Sequence, residues 1–493
     1  MNLSKKITVG LVMFILTIPT YAQFTLDGEM RPRFEYRHGF KSVADSAQDP
    51  AAFVEQRTRL NFGYKTEGYI FKVVVQDVHV WGSQPQLIST YSQLNTTGTY
   101  LGIHEAWGEA LMDENWSLKF GRQEINLDDH RIFGNVGWAQ QARSHDGAIL
   151  KFNKNKFKMD FGVAYNQDKA ALSKTEAQFG TYKAFQYLWM HNDFSENFGA
   201  SLLFLNNGKE QLDYDSTNAS PGVIYYTDNY SQTIGTRLAY KKNKFAANVA
   251  AYIQTGVDGN RAVYYSDRDG EYEKEISGVN FGLDLSYKLT EKFTATAGFE
   301  YMSGQSQTDT NASYLRVNHA FTPFYGTNHK FNGLMDYFYV GSGHGNVGLQ
   351  DIFLKLNYKA EKFWVGADVH MFSATADVWD GYKYNKDLSD AITAGQSTTS
   401  IMDKKYTSYK MNTSLGTEID FTFGFNLAKG VAFKGGYSTM LATETLAYLK
   451  GVTYGAGNKN AGQGRTDQMN GWGWAMIIIQ PKFVEAKKEE KLN

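Results

Sequence analysis

Polar and apolar residues alternate one by one through most of this sequence, and this period of two constrains the fold more than any other feature. From Phe24 to Arg37 one row of side chains is mostly aromatic or aliphatic, whereas the other row is almost wholly ionic. The same alternation recurs from Val279 to Lys288 and from Leu415 to Leu427. Because successive side chains of a strand point to opposite faces, the pattern predicts strands with one apolar and one polar face.

The composition agrees with such two-faced strands and excludes several other classes of protein. The 493 residues include 33 Phe, 32 Tyr and 9 Trp, yet the mean hydropathy is −0.44. The absence of Cys excludes disulfide scaffolds and thiolate metal sites. A net charge of −1 argues against a nucleic-acid partner. The sequence beyond the N-terminus also lacks the ~20 consecutive apolar residues of a transmembrane helix.

The N-terminal residues have the layout of an export signal. Lys5 and Lys6 precede an apolar stretch from Ile7 to Pro19, and small residues follow up to Ala22. This arrangement predicts a secretory signal peptide over residues 1–22, the alternative being a buried N-terminal helix. The predicted domain then covers residues 23–484, and residues 485–493 form a charged tail.

Short and long connections alternate along the predicted strands. Short polar turns occur at 65–68, 113–115, 153–156, 193–197, 241–244, 290–292, 359–362 and 428–430. Long connections occur near 39–52, 82–98, 126–145, 167–180, 206–229, 258–274, 306–348, 375–413 and 444–470. Strict alternation assigns each set of connections to one side of a membrane.

These breaks divide the chain into about 18 strands, an even number within the range of bacterial outer-membrane barrels. We therefore expect an all-β fold: a transmembrane antiparallel up-and-down β-barrel with short periplasmic turns and long extracellular loops. A closed barrel leaves no backbone amide unpaired in lipid. Lipid-facing charge costs ~2–4 kcal/mol at mid-bilayer, so the ionic rows should face the lumen. The expected location is the outer membrane, with its lipid as the surrounding partner.

Arginine is concentrated in the rows that should face the lumen. Arg31 and Arg33 lie in the first predicted strand, and Arg57 and Arg59 share a face of the second. Rings of such groups favour anions in a pore. Four carboxylates interleave with them, Glu29, Glu35, Glu105 and Glu109. The arginines therefore either meet solute or pair with these carboxylates and brace the wall.

Two stretches of the sequence carry the residues of a recognisable motif. The first comprises Gly121-Arg122-Gln123 followed by Asp129, Arg131, Trp138, Arg143, Asp146 and Gly147. The second comprises Ala320-Phe321, Tyr325-Gly326, His329, Phe331, Gly333 and Asp336. Together these residues resemble the motif of the alginate export family. The resemblance implies an 18-strand outer-membrane barrel with an arginine-lined, anion-selective conduit, which the best-known member uses to secrete alginate. It also implies that the motif residues Arg122, Arg131, Arg143 and Asp146 line the pore and bind substrate; His145 stands where the motif commonly has an aromatic residue.

Patterns typical of catalytic and metal sites are weak in this sequence. Ser144, His145 and Asp146 are triad residue types, but neighbours on an extended chain point to opposite faces. We therefore predict no catalytic residue, cofactor or metal ligand. A loop metal site built from His319, His329 and Asp336 is the alternative that the spacing leaves open.

The function that these features favour is a monomeric outer-membrane channel for anionic or polar small solutes or oligosaccharides. The loops at 306–348 and 375–413 are long enough to fold inward and constrict it. Two alternatives remain, an outer-membrane enzyme acting on lipid or glycan, and an adhesion or structural barrel with a plugged lumen.

Overall fold

The computed structural model describes residues 23–83, 101–173, 181–214, 224–258, 275–338, 345–458 and 460–485. The predicted signal peptide, residues 1–22, lies outside this part, as do residues 486–493 of the predicted tail, so both stay predictions. Among the described residues, no helix has the length and apolar character needed to cross a membrane.

Eighteen strands form the wall. They are β1 (Gln23–His38), β2 (Ala51–Lys65), β3 (Tyr69–Val80), β4 (Leu101–Leu111), β5 (Trp116–Gln123), β6 (His145–Lys154), β7 (Phe157–Tyr165), β8 (Ala184–Asp193), β9 (Phe198–Tyr214), β10 (Ile224–Lys242), β11 (Phe245–Gly256), β12 (Gly278–Lys288), β13 (Phe293–Met302), β14 (Leu349–Lys359), β15 (Phe363–Ser373), β16 (Ser414–Ala428), β17 (Val431–Ala442) and β18 (Asn470–Ile479, continued by Lys482–Val484).

The wall closes on itself. Each strand pairs antiparallel with its sequence neighbours, and β1 pairs with both β2 and β18. The last strand is interrupted at residues 480–481. Pro481 has no N–H to give to a ladder, although its carbonyl accepts from Gly28 N at 2.9 Å. The predicted fold class is confirmed: the protein is a closed 18-strand antiparallel β-barrel.

The alternation separates a lipid-facing exterior row from an interior row, as predicted. On β12, Val279, Phe281 and Leu285 are exposed on the exterior, whereas Asn280 is buried in the interior. Asn280 lies opposite Met302 of β13, a second interior residue. A closed barrel with an apolar exterior is stable only in lipid, which places the protein in the outer membrane.

One predicted loop is much shorter than expected. Residues 206–229 were predicted to connect two strands, but β9 extends to Tyr214 and β10 begins at Ile224. The polar residues that suggested a loop pair across strands on the exterior instead. Asn206 Nδ2 donates to Gln186 Oε1 at 2.8 Å, and Gln232 Nε2 donates to Asn206 Oδ1 at 2.8 Å. The predicted loops at 82–98 and 258–274 lie almost wholly outside the described residues.

Short helices occur in the long connections. They are α1 (Ala312–Leu315), a 3₁₀ turn (Asn328–Lys330), α2 (Gly381–Thr393), α3 (Thr399–Asp403) and α4 (Glu444–Leu449). The Asp380 side chain caps α2 by accepting from Lys383 N at 2.9 Å. Two-residue strands at Glu275–Ile276 and Val317–Asn318 pair in parallel.

Of the connections that the structure describes, two fold into the barrel. We call residues 124–144, between β5 and β6, the first infolded segment, and residues 319–338, between β13 and β14, the second. The segments bond to each other through Gly134 N and Tyr325 O at 2.9 Å. A Cβ on Gly134 would lie 2.2 Å from Thr327 Oγ1, and one on Gly326 would lie 2.2 Å from Arg131 O. Glycine at these two positions therefore permits the close approach of the segments.

Candidate functional site

The first infolded segment is held to the β1–β2 wall by arginines. Arg31 donates to Gly137 O and to Gln140 Oε1, both at 2.8 Å. Arg33 donates to Trp138 O at 2.6 Å, and its guanidinium lies 4.2 Å from the Trp138 ring centroid. Arg57 donates to Gln140 O at 3.3 Å. All three guanidiniums are buried beneath the segment.

Glutamates of the same wall neutralise these arginines. Glu35, which is fully buried, accepts from Arg33 Nε at 2.7 Å and from Arg37 Nε at 2.8 Å. Arg57 Nη2 lies 2.6 Å from Glu29 Oε1. The geometry is thus that of a brace between wall and segment. Arg59 differs, because it is half-buried and its Nε donates to Gln76 Oε1 at 2.7 Å.

The β8–β11 wall holds the same segment by apolar packing. Phe133 is fully buried, and its ring centroid lies 5.4 Å from that of Phe185, 5.0 Å from Tyr187 and 5.4 Å from Tyr325. Leu203 and Leu205 of β9 belong to the same buried cluster. A dry core of this kind inside a barrel is packed like the interior of a soluble domain.

Aspartates at the tip of the first segment reach β8–β10. Asp128 accepts from Trp189 Nε1 at 3.1 Å and from Ser201 Oγ at 2.5 Å. Burial raises the pKa of Asp128, although these hydrogen bonds oppose the change. The neighbouring Asp129 lies 3.5 Å from Arg237 Nε of β10.

Buried carboxylates of β13–β16 hold both segments. Arg131, which the sequence placed in the pore lining, lies on the first segment and forms a buried ion pair with Glu300 of β13. Asn332 Nδ2 of the second segment donates to the same carboxylate at 2.7 Å. Met335 N donates to Glu418 Oε1 at 2.8 Å. The first segment therefore contacts the wall on several sides of the lumen.

The base of the first segment contains a cluster that sequence analysis missed. A bulge in the β3–β4 register lets the consecutive residues His104 and Glu105 both be buried. His104 Nε2 lies 2.8 Å from Glu124 Oε1. Burial alone would raise the pKa of Glu124, but the hydrogen bonds from His104 and Asn135 lower this pKa to about 2. Imidazole and carboxylates are metal-ligand types, and the three residues lie close enough to share an ion. Lys72 already donates to Glu105 at 2.6 Å, so the cluster as it stands is a hydrogen-bonded brace.

Above the segments, on the side of the long connections, lies a cavity of about 920 Å³, which we call the vestibule. Its lining includes all four motif residues, Arg122, Arg131, Arg143 and Asp146. The Arg143 guanidinium lies 6.0 Å from the ring centroid of Tyr325, which is also part of the lining. The structure thus brings the four residues of the first motif to one cavity.

Arg122 and Asp146 differ from the other predicted pore residues in where they lie. Arg122 follows Leu118 and Phe120 in the exterior row of β5, and it pairs across strands with Asp146 of β6. Arg122 Nη2 and Asp146 Oδ2 are 2.7 Å apart, and the two side chains are 46% and 53% exposed. The pair therefore lies at the rim of the barrel and not on its inner wall.

The histidines do not assemble the sites considered from the sequence. His145 is buried beside Tyr182, with Nδ1 3.0 Å from the Tyr182 hydroxyl, whereas Asp146 is exposed on the opposite side of β6. His329 Nδ1 lies 2.8 Å from Asp336 Oδ1, which is the proximity that a loop metal site of His319, His329 and Asp336 requires of these two residues. His319, however, stacks on Tyr314 at 4.2 Å and is not part of the metal-ligand cluster found among the described residues.

Nearer the short turns, the interior row of β2–β6 carries a stripe of cations. Its members are Arg59 of β2, Lys72 of β3, Lys119 of β5 and Lys151 of β6. Carboxylates partner part of the stripe, because Lys151 Nζ lies 3.9 Å from Glu109 and Lys72 binds Glu105. Lys119 Nζ lies 4.0 Å from the Trp107 ring centroid. This lysine is half-buried in the lumen.

Comparison with solved structures gives neighbours of the same architecture. OccAB4 of Acinetobacter baumannii has a TM-score of 0.55 and 11% identity, covering 94% of this chain and 100% of that one. OccK9 (OpdG) of Pseudomonas aeruginosa has a TM-score of 0.54 and 10% identity, covering 93% and 98%. The outer membrane protein opdK of Pseudomonas aeruginosa also has a TM-score of 0.54 and 10% identity, covering 93% and 99%. No family model and no curated protein matches the sequence. The likeness is therefore one of fold, an outer-membrane β-barrel whose whole length is shared.

Proposed function

We propose that this protein is an outer-membrane channel that passes anionic or polar solutes between the vestibule and the periplasmic end of the lumen. The observation that carries the proposal is the cationic stripe of Arg59, Lys72, Lys119 and Lys151, which lies on the lumen side of four strands. Cations lining a low-dielectric bore attract anions and raise their local concentration.

The proposal changes the expected roles of the wall arginines. Arg31, Arg33 and Arg57 are buried against the first infolded segment, so their part is to fix the segment. Arg59 is half-buried; its Nη2 atom is itself buried and has no hydrogen-bond partner among the described residues. Of the four wall arginines, Arg59 is the one that stays partly open to the lumen, where the carboxylate of a passing solute would meet its side chain.

Two features support a carboxylate-bearing sugar as one such solute, as the alginate-export resemblance implies. Arg122, Arg131, Arg143 and Asp146 all line the vestibule. Aromatic rings, including Tyr325, lie beside them, and such rings suit the apolar face of a sugar. We propose that a uronate oligomer or a smaller organic anion enters here, and that the channel works as a monomer.

Single-channel recordings in planar bilayers test the proposal. In a salt gradient, the wild type should show a reversal potential of the sign expected for anions. The double variant Arg59→Ala, Lys119→Ala should lower the anion-to-cation permeability ratio severalfold, because it removes half of the stripe. Lys244→Ala, in the exposed short turn between β10 and β11 and outside the bore, is the matched control and should change the ratio little. Anion and cation permeabilities that are equal in the wild type, and equal again in the double variant, would refute the anion channel.

A closed structural barrel is the second candidate, and the dry packing around Phe133 favours it. In that case the infolded segments seal the lumen at the height of the arginine brace. Folded protein that inserts into bilayers without conducting, and that conducts after Phe133→Ala loosens the packing, would establish this function instead.

A further inference from the structure

The barrel wall is low at β5–β8. The uppermost paired residues there are Gln123 with His145, Gly147 with Ala164, and Tyr165 with Ala184. On one side, β4 continues five residues above Ala106, the uppermost partner of β5. On the other side, β9 continues six residues above Gly208, the uppermost partner of β8. At ~4.8 Å between strands and a tilt of ~45°, the notch is about 20 Å wide and up to ~14 Å deep.

Among the described residues, which leave out 174–180 above β7 and β8, the notch joins the vestibule to the exterior of the barrel. Arg122 and Asp146 are exterior-row residues, yet they line the same cavity as Arg131 and Tyr325, which belong to the infolded segments. Asn166 and Thr181, just above β7 and β8, complete this part of the lining. The cavity therefore extends from the middle of the lumen across the rim.

An apolar stripe leads up the exterior to this rim. Directly below Arg122 and Asp146, the exterior rows of β5 and β7 carry exposed apolar side chains, Leu118, Phe120, Phe161 and Val163. On the far side of the barrel, apolar residues reach as high or higher along their strands, for example Met371, eight residues above the start of β15, and Leu441, ten residues above the start of β17. Arg122 lies only six residues above the start of β5. The rim of the notch thus lies at the level of the outer leaflet.

The charges of the vestibule are unequal. Four lining side chains are cationic, namely Arg122, Arg131, Arg143 and Lys209, and two are acidic, namely Asp146 and Asp258. Glu300, behind the lining, neutralises Arg131, which leaves an excess of one positive charge. The remaining lining is rich in aromatic residues, such as Tyr182, Phe321 and Tyr325. A ligand complementary to both surfaces has an anionic head for the vestibule and an apolar tail for the exterior stripe.

We infer that the vestibule has a side entrance over β5–β8 and binds an anionic single-chain amphiphile, its head beside Arg122 and Arg143 and its acyl chain along Phe120 and Val163. The inference rests on the proposed function only in taking the vestibule as the outer mouth of the channel. The acyl chain gains free energy from burial against the lipid-facing stripe, so the amphiphile should bind more tightly than a small water-soluble anion with the same head.

The absence of cysteine from the chain allows a site-specific test. Asn166→Cys at the notch and Gln350→Cys on the exterior of β14 would each carry one bimane fluorophore, in nanodiscs. Bromododecanoate should quench the notch label at a concentration at least tenfold below that needed at the β14 label. Dodecanoate should compete with it, and butanoate should not. Equal quenching at both labels, which indicates partition into the bilayer alone, would overturn the side entrance.

A second variant separates tail from head. Phe120→Gln, at an exposed exterior position, should weaken dodecanoate competition severalfold while leaving single-channel conductance unchanged; heat-modified mobility on gels confirms that the barrel has folded. Effective competition by butanoate would overturn the amphiphile while leaving the anion channel intact. A wild-type protein that shows no anion selectivity but still binds dodecanoate would refute the anion channel and leave the amphiphile site standing.

Discussion

The β1–β2 wall and the β8–β11 wall hold the same infolded segment by opposite means. At β1–β2 the contacts are guanidinium hydrogen bonds from Arg31, Arg33 and Arg57 to backbone carbonyls. At β8–β11 they are aromatic and aliphatic contacts centred on Phe133. Polar bonds fix the direction and register of the segment, whereas apolar packing supplies most of the favourable free energy. An interior row therefore need not be polar, because its chemistry follows from what covers it.

The largest expected effect comes from breaking the apolar side. Phe133→Ala removes a fully buried ring and should lower the free energy of unfolding of the packed lumen by about 3–5 kcal/mol. The segment should then fluctuate, which increases current noise and the rate of protease cleavage within residues 124–144. Phe161→Ala, on the lipid-facing side of β7, is the control and should leave cleavage unchanged. Equal cleavage in the two variants would show that packing does not fix the segment.

A smaller effect is expected at the polar side. Arg31→Met keeps the apolar part of the side chain but leaves Gly137 O and Gln140 without their donor, at a cost of about 2 kcal/mol. The change should shift the segment and raise hydrogen exchange in residues 137–141. Arg59→Met on the neighbouring strand serves as the control, because no hydrogen bond from Arg59 to the segment exists among the described residues. Unchanged exchange in Arg31→Met would mean that the brace contributes nothing.

The most local expected effect is a pH dependence at the second segment. Lys450, after α4, donates to Tyr337 O at 2.5 Å, and burial lowers the pKa of this lysine to about 7. Because the folded protein favours the neutral amine, the unfolded chain binds more protons between pH 7 and its ordinary pKa of about 10.4. The attachment of the second infolded segment to Lys450 should therefore weaken as pH falls from 10 to 7, and it should change little below pH 7.

Hydrogen exchange of residues 331–338, corrected for the intrinsic pH dependence, measures this effect. Lys450→Met should abolish the change between pH 9 and pH 7. An equally steep change in the variant would assign it to another group.

The sequence predicted the wall well where the lumen contact is polar. The inward direction of Arg31, Arg33, Arg57 and Arg59 follows from strict alternation with apolar exterior neighbours, and the pairing of Arg31 with Arg57 confirms that they share a face. The strand count and the short turns follow from the same signal. The reason is local: each charged residue excludes the lipid side by itself.

The sequence did not settle which side chains point inward on the strands that the infolded segments cover. Alternation is blurred from Phe185 to His191 and from Gly199 to Leu205, because both rows there are apolar. The structure gives the cause: Phe185, Tyr187, Leu203 and Leu205 face Phe133 and not solvent. No pattern within a strand reveals which distant loop will cover it. Arg122 is a different case, because it shares a row with Leu118 and Phe120 and alternation alone places it on the exterior; its assignment to the pore came from the family resemblance.

The closure of the barrel between β1 and β18 has a consequence for biogenesis. Trp138 of the first infolded segment packs 5.6 Å from Trp472 and 4.9 Å from Trp474 of the last strand, while its backbone carbonyl binds Arg33 of the first. The first infolded segment therefore contacts both strands that close the barrel, β1 and β18. It cannot reach its final position until the last strand has been inserted, so the lumen acquires its interior only when the cylinder is complete.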